Sequence, residues 1–174
     1  YIQVNWPESR ELAEVEWVTD VATGSNWPIA IIAYANFSSE NCKKIIKSLS
    51  KNKLVKGIRQ QLHWHVDPKY RFASGPDIMM DQNWRRNFSI LNDYGWLFEL
   101  QVFSSQMSDA ANLAHCFPKT PMVLQHCGMP EDASVAGMKK WLDSIKGLSQ
   151  ETNVYCKFSG LGTFIHRVSP NFIQ

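Results

Sequence analysis

The sequence predicts an α/β fold of the (β/α)8 TIM-barrel kind, incomplete here, and two observations carry that expectation. Short β-branched or aromatic runs alternate with longer segments of helical spacing, each closed by Gly, Pro or a Ser/Asn/Asp cluster. The runs are also almost continuously apolar, as in strands of a parallel sheet covered by helices. An open doubly wound sheet is the competing architecture. It usually carries a glycine-rich turn after its first strand, where this chain has Asn5-Trp6-Pro7-Glu8.

Taken in order, the first strand is Tyr1 to Asn5. A helix follows from about Ser9 to Thr23, with Leu12, Val15, Val18 and Ala22 on one stripe and Gly24 at its end. Pro28 opens the buried strand Ile29 to Tyr34. A helix from Ser38 or Ser39 then turns Cys42, Ile45, Ile46 and Leu49 inward. The third strand is Leu54 to Gln60, and Gln61 to Met80 is a long irregular stretch of the kind that usually carries function. Beyond it come a helix from Asp81 to Tyr94, strand Trp96 to Phe103, a helix from Gln106 to Cys116 and strand Met122 to Gln125. A helix from Ser134 to Lys146 and strand Val154 to Phe158 complete the series.

Composition narrows the function. With 18 basic and 16 acidic residues the 174-residue chain has a net charge of +2 and no electrostatic footprint for nucleic acid. The lysines at 43, 44, 47, 51, 53 and 56 are the wet face of one helix and its exit. The longest apolar run, Ile29 to Ala35, is far short of the roughly twenty residues a membrane helix needs. A soluble single domain over residues 1–174 is expected. Four scattered cysteines without a Cys-x-x-Cys pair suggest a reducing cytoplasm.

Chemistry is expected where polar residues gather at the C-terminal ends of strands, which in a barrel surround one mouth. These are Asn5, Arg59 with Gln60, Glu99 with Gln101, His126, and Lys157 with Ser159. His126 sits before a Gly and a Pro, where its imidazole could serve as base, acid or ligand. Glu99 and Gln101 share a strand face, and a Glu among Leu97, Phe98, Leu100 and Val102 needs a cation such as Arg59 or Lys157. Arg59 offers a fork suited to a carboxylate. His63-Trp64-His65 has the form of a metal pair but lies in the long loop, where contact with substrate or loop packing is the better expectation. His115, Cys116 and Cys42 are expected to face the core. No Gly-x-Ser-x-Gly elbow supports a serine nucleophile.

Five segments together resemble the amidohydrolase-related (amidohydrolase 2) family of TIM-barrel hydrolases, which includes sugar-lactone and dicarboxylate lactonases. They are Leu12-Ala13-Glu14 through Trp17, Lys56 to Gln60, Phe98 to Val102, Val123 to Pro130, and Asn153 to Leu161. The resemblance implies that the six strands correspond to the second through seventh of the barrel. The His-x-His pair of the family's first strand and the Asp near a Gly-Ser-Asp/Asn-x-Pro turn of its last do not occur in this sequence. The chain is therefore expected to be an internal piece, inactive alone. The resemblance further implies a hydrolase that opens a lactone of a sugar acid or dicarboxylic acid with activated water. In it His126 would polarise the carbonyl, Arg59 would hold a carboxylate or carbonyl oxygen, and Glu99, Gln101, Lys157, Gln60 and His65 would bind substrate. A metal-dependent decarboxylase or amide hydrolase of the same superfamily, or a non-catalytic fragment, is the alternative. A divalent ion such as zinc is compatible with the resemblance, as is metal independence; His126 is the one expected ligand in this chain. The partners implied are small carboxylates or lactones, not nucleic acid or membrane.

Overall fold

The computed structural model describes residues 1–4 and 10–160. The expected strand end Asn5, the turn through Glu8, the helix start at Ser9, and Leu161, Gly162 and His166 lie outside the described residues.

Among the described residues five strands form one sheet: β1 (Ile31–Tyr34), β2 (Val55–Gln61), β3 (Leu97–Gln101), β4 (Met122–Leu124) and β5 (Val154–Cys156). All neighbours are parallel, and the spatial order β1-β2-β3-β4-β5 is the chain order. That order decides between the two architectures. A doubly wound sheet reverses direction at a switch point, whereas a barrel adds each strand beside the last. Among the described residues the expected first strand is a single parallel bridge, Ile2 to Ile32, flanked by Gln3 N–H donating to the Ile32 carbonyl at 2.9 Å.

Helices α1 (Glu11–Ser25), α2 (Cys42–Leu49), α3 (Gln82–Phe88), α4 (Leu91–Tyr94), α5 (Met107–Cys116) and α6 (Val135–Leu148) fill the crossovers. The single helix expected from Asp81 to Tyr94 is two, parted at Ser89 and Ile90. Asp81 caps α3 by accepting from Trp84 N–H at 2.7 Å, and Ser134 caps α6 by accepting from Gly137 N–H at 3.1 Å. Cys42 is buried as expected, but His115 and Cys116 are exposed on the outer side of α5. None of the described helices is long and apolar enough to cross a membrane.

Strand alternation sorts the sheet into two faces. The register row Ala33, Ile58, Phe98, Met122, Val154 faces the helices. There Phe98 meets Phe37, Trp84 and Phe88 edge-on, with ring centroids 5.1 to 6.1 Å apart. The alternate row, Tyr34, Arg59, Glu99, Val123, Tyr155, faces the other way and carries the charges. Gly57 stands on that second face, where a Cβ would come within 2.5 Å of the Leu97 carbonyl oxygen, so close approach of β2 to β3 requires glycine.

Candidate active site

The register that places Arg59 beside Glu99 also places Gln61 beside Gln101 one step nearer the strand ends. Arg59 donates through its guanidinium to the Gln101 side-chain oxygen. Both are buried, and among the described residues Arg59 Nε has no hydrogen-bond partner. Burial pushes the Arg59 pKa down, and the Glu99 charge opposes that shift. Glu99 has the partner its surroundings demanded: Lys157 Nζ donates to Oε1 at 2.6 Å from the neighbourhood of β5. Its other oxygen, Oε2, is buried without a partner among the described residues. With Lys157 balancing Glu99, Arg59 is left as the excess charge of this cluster.

His126 follows β4 on an unusual backbone. It and the next three residues, Cys127, Gly128 and Met129, have φ of 53°, 54°, 71° and 28°. A run of left-handed residues other than glycine is strained and persists only where its surroundings hold it. Three neighbouring elements do so. Trp141 of α6 donates its indole N–H to the Cys127 carbonyl at 2.8 Å. Cys127 N–H donates to the Lys157 carbonyl at 3.2 Å, and Ser104 N–H to the Met129 carbonyl at 3.3 Å. The Glu131 carboxylate reinforces the last contact, accepting from the Ser104 hydroxyl and from both the main chain and the hydroxyl of Ser105, each at 2.9 Å. Gly128, with φ of 71°, stands where side chains are strained, and a Cβ there would also have to displace the flexible end of Met107. The His126 ring so fixed has Nδ1 2.9 Å from the Ser159 hydroxyl. Burial and the positive charges of Arg59 and Lys157 lower its pKa, outweighing Glu99 and Ser159.

The long loop adds a residue the sequence pointed to only weakly. His63 is fully buried, its ring 4.5 Å from that of Phe72 and 5.3 Å from that of Phe103. Burial, Arg59 and His126 push its pKa down to about 4, which sets it electrostatically beside the cluster. Gln106 fixes the loop by spending its whole amide on it. Oε1 accepts from Trp64 N–H at 3.0 Å and Phe103 N–H at 3.3 Å, while Nε2 donates to the carbonyls of Leu62 at 2.9 Å and Pro76 at 3.3 Å. No sequence signal announced that role.

Two expected substrate contacts are placed elsewhere. Gln60 lies on the helix-facing side of β2, with Oε1 accepting from Phe37 N–H at 3.1 Å and Trp84 Nε1–H at 2.9 Å and Nε2 donating to Asn36 at 3.0 Å. Strand alternation alone separates it from Arg59. His65 packs within the loop, Nδ1 accepting from Asp67 N–H at 2.9 Å and its ring edge-on to Tyr70 and Phe103. The structure thus brings together Arg59, Glu99, Gln101, His126, Lys157 and Ser159, with His63 alongside.

Comparison with known proteins places the fold. The family model described as Amidohydrolase matches residues 4–174. The chain belongs to the amidohydrolase family. Among curated relatives, an uncharacterized protein of Sinorhizobium fredii is 29% identical over 162 residues, 93% of this chain and 54% of its own length. An L-fucono-1,5-lactonase of Burkholderia ambifaria is 23% identical over 156 residues, 86% and 49% of the two lengths. Among solved structures, an amidohydrolase of Burkholderia multivorans with bound zinc has a TM-score of 0.72 at 20% identity, covering 87% of this chain and 51% of that one. A probable 2-pyrone-4,6-dicarboxylic acid hydrolase of Acinetobacter baumannii with bound citric acid has a TM-score of 0.62 at 12% identity, covering 91% and 53%. The amidohydrolase-family fold is therefore that of this chain, which spans about half the length of the relatives it matches. The described residues by themselves do not fit a zinc ion. No three His, Cys, Asp or Glu among them are grouped to hold a metal.

Proposed function

We propose that this amidohydrolase-family protein hydrolyses the ester C–O bond of a lactone of a sugar acid or a dicarboxylic acid with activated water. The observation that carries the reading is the cluster itself: a buried arginine held by Gln101, beside Glu99 paired with Lys157 and His126 held by Ser159, at the C-terminal rim of a barrel-type sheet. Lactone opening builds negative charge on the carbonyl oxygen. A preorganised cation in a water-poor site stabilises that charge more than water can. Arg59 supplies it with no rearrangement, being already held by Gln101. Glu99 holds Lys157 beside the same space, where it adds positive potential for a substrate carboxylate. The two named relatives support the reading, since one acts on a sugar lactone and the other is a probable hydrolase of a cyclic dicarboxylic acid. All four cysteines are free thiols, in keeping with a reducing cytoplasm.

The test is a panel of sugar and dicarboxylic lactones with acid release followed continuously, run on this chain and on any longer protein of which it forms part, with metal content measured in parallel. Lactone opening that falls about 10²-fold in R59M is the expected result. Decarboxylation or amide cleavage without lactone opening overturns the proposal.

A further inference from the structure

Two atoms at the site have no hydrogen-bond partner among the described residues, and they are of opposite kinds. Arg59 Nε carries a hydrogen and can only donate, whereas Glu99 Oε2, in the ionised carboxylate, can only accept. The two residues are 9% and 4% exposed, so bulk solvent does not make good the loss. They are register partners on adjacent strands and stand on one face of the sheet. Even so, among the described residues the ion pair of Glu99 is with Lys157 and none is formed with Arg59. Each side chain is drawn away from the other. Lys157 holds Oε1 from beyond β4, on the flank of β3 opposite Arg59, and Gln101 holds the guanidinium from two residues farther along β3.

A group seated between them has to accept a hydrogen bond on one side and donate one on the other. A hydroxyl does both, as does water. A carbonyl, a ring oxygen or a carboxylate only accepts, and an ammonium only donates. A carboxylate would in addition set its charge against that of Glu99. We infer that Arg59 Nε and Glu99 Oε2 form one subsite for a substrate hydroxyl, which accepts from Nε and donates to Oε2, so that the lactone is that of a sugar acid and not of a dicarboxylic acid. The inference rests on the lactone-opening reading and narrows it. In that reading the other donors of the same guanidinium serve the carbonyl oxygen, and the N–H groups of one rigid fork reach only neighbouring atoms of a substrate. The hydroxyl is thus the one on the carbon next to the carbonyl. It is bound and not transformed: water adds to the carbonyl carbon, the ring C–O bond breaks, and this hydroxyl stays on its carbon.

The probe is a hexono-1,5-lactam, which keeps the carbonyl and the hydroxyls of the lactone in a ring that resists opening, set against its 2-deoxy counterpart. Calorimetric titration of this chain, and of any longer protein of which it forms part, is expected to show the hydroxylated lactam bound at least about tenfold tighter, as for a hydrogen bond to a charged group. E99M, which keeps the length of the side chain and removes the acceptor, is expected to bring the two affinities within about twofold, and E99D to recover part of the difference. Should E99M fail to fold by circular dichroism, E99Q takes its place and is expected to narrow the gap several-fold. Equal binding of the two lactams by wild type shows that water fills the subsite and overturns the inference. So do a lack of binding by either lactam, a full preference that survives in the Glu99 variant, and tighter binding of a lactone bearing two carboxylates. Activity separates the subsite from the reaction. Lactones opened equally with and without the 2-hydroxyl overturn the subsite and leave the reaction standing. The expected preference among lactams, in a protein that opens no lactone, overturns the reaction and leaves the subsite.

Discussion

The two faces of this sheet are made by the same five strands and do opposite work. On the helix side Ile58 and Phe98 sit in a row that is apolar from edge to edge, closed by Phe37, Trp84 and Phe88. One residue along each strand, Arg59 and Glu99 are buried too and are charged. Burial is therefore common to both faces, and what separates them is how it is compensated: by contact on one side, by charge pairing on the other. The helix face is a source of stability. The charged face draws on it, since buried ions paired across strands rarely return more than their desolvation costs. Breaking each face in turn should make that asymmetry measurable.

The largest loss is expected on the apolar side. Phe98→Ala removes a ring with no solvent exposure that touches three others, and large-to-small changes of this kind cost about 3–5 kcal/mol. Denaturant unfolding monitored by circular dichroism checks it. A loss below ~1 kcal/mol would mean that the aromatic cluster is not the mainstay of the fold.

Acid probes the charged face next. His63 has a pKa of about 4 in the folded protein against about 6.5 unfolded. Above about pH 6.5 both states hold it neutral and its burial carries no pH-dependent cost. As pH falls from there toward 4 the unfolded chain takes up a proton that the folded one refuses, so stability drains away, by an order of about 3 kcal/mol when complete. Below 4 both states are protonated and this contribution stops changing. His63→Phe, which keeps a ring between Phe72 and Phe103, should remove that slope when its unfolding free energy is subtracted from that of wild type at each pH. Parallel curves would show that His63 titrates normally.

Lys157→Met comes third. It leaves Glu99 buried without its cation, and because the lysine is 32% exposed the expected cost is about 2 kcal/mol, lower than for a fully buried pair. Glu99→Gln in the same background should recover most of it, and a double-mutant cycle separates the pairing from the desolvation.

How far the sequence discloses these two faces follows from what sets each one. Strand alternation, helical spacing and apolar runs are local, so β1 to β5 are readable by counting in twos and the burial of Cys42 by helical spacing, while the same count of two, not applied to the pair Arg59 and Gln60, would have parted them. A partner for Glu99 was demanded by its apolar neighbours, and the two cations nominated for it are the two that flank it. The first strand shrinks to a bridge at Ile2 because pairing depends on a neighbour's edge, which local pattern does not record. The burial of His63 depends on Phe72 from farther along its own loop and on Phe103 from the segment after β3, and the left-handed turn at His126 on clamps from α6, the residue after β5 and the loop after β3. Residues whose role is fixed by a distant partner are the ones that periodicity passes over. Ser159 is intermediate, recognisable as one of a polar group at a strand end but silent about which ring nitrogen it meets.

The smallest expected effect crosses between the faces. Trp141 belongs to the helix layer, yet its indole N–H reaches the Cys127 carbonyl, one residue from His126. Trp141→Phe keeps an aromatic ring against α6's neighbours and deletes that one hydrogen bond, for a net cost of about 1 kcal/mol by chemical unfolding. If the two faces were independent, the loss would end there. The turn it supports holds four consecutive positive φ values, however, and relaxing one clamp on a strained turn changes where the His126 ring stands before it changes whether the protein folds. The substitution should therefore alter the His126 ring resonances while leaving those of His115, on the far side of α5, in place. Unchanged His126 signals with the same small loss of stability would return Trp141 to the apolar layer alone and show that the mouth of the sheet is held from its own side.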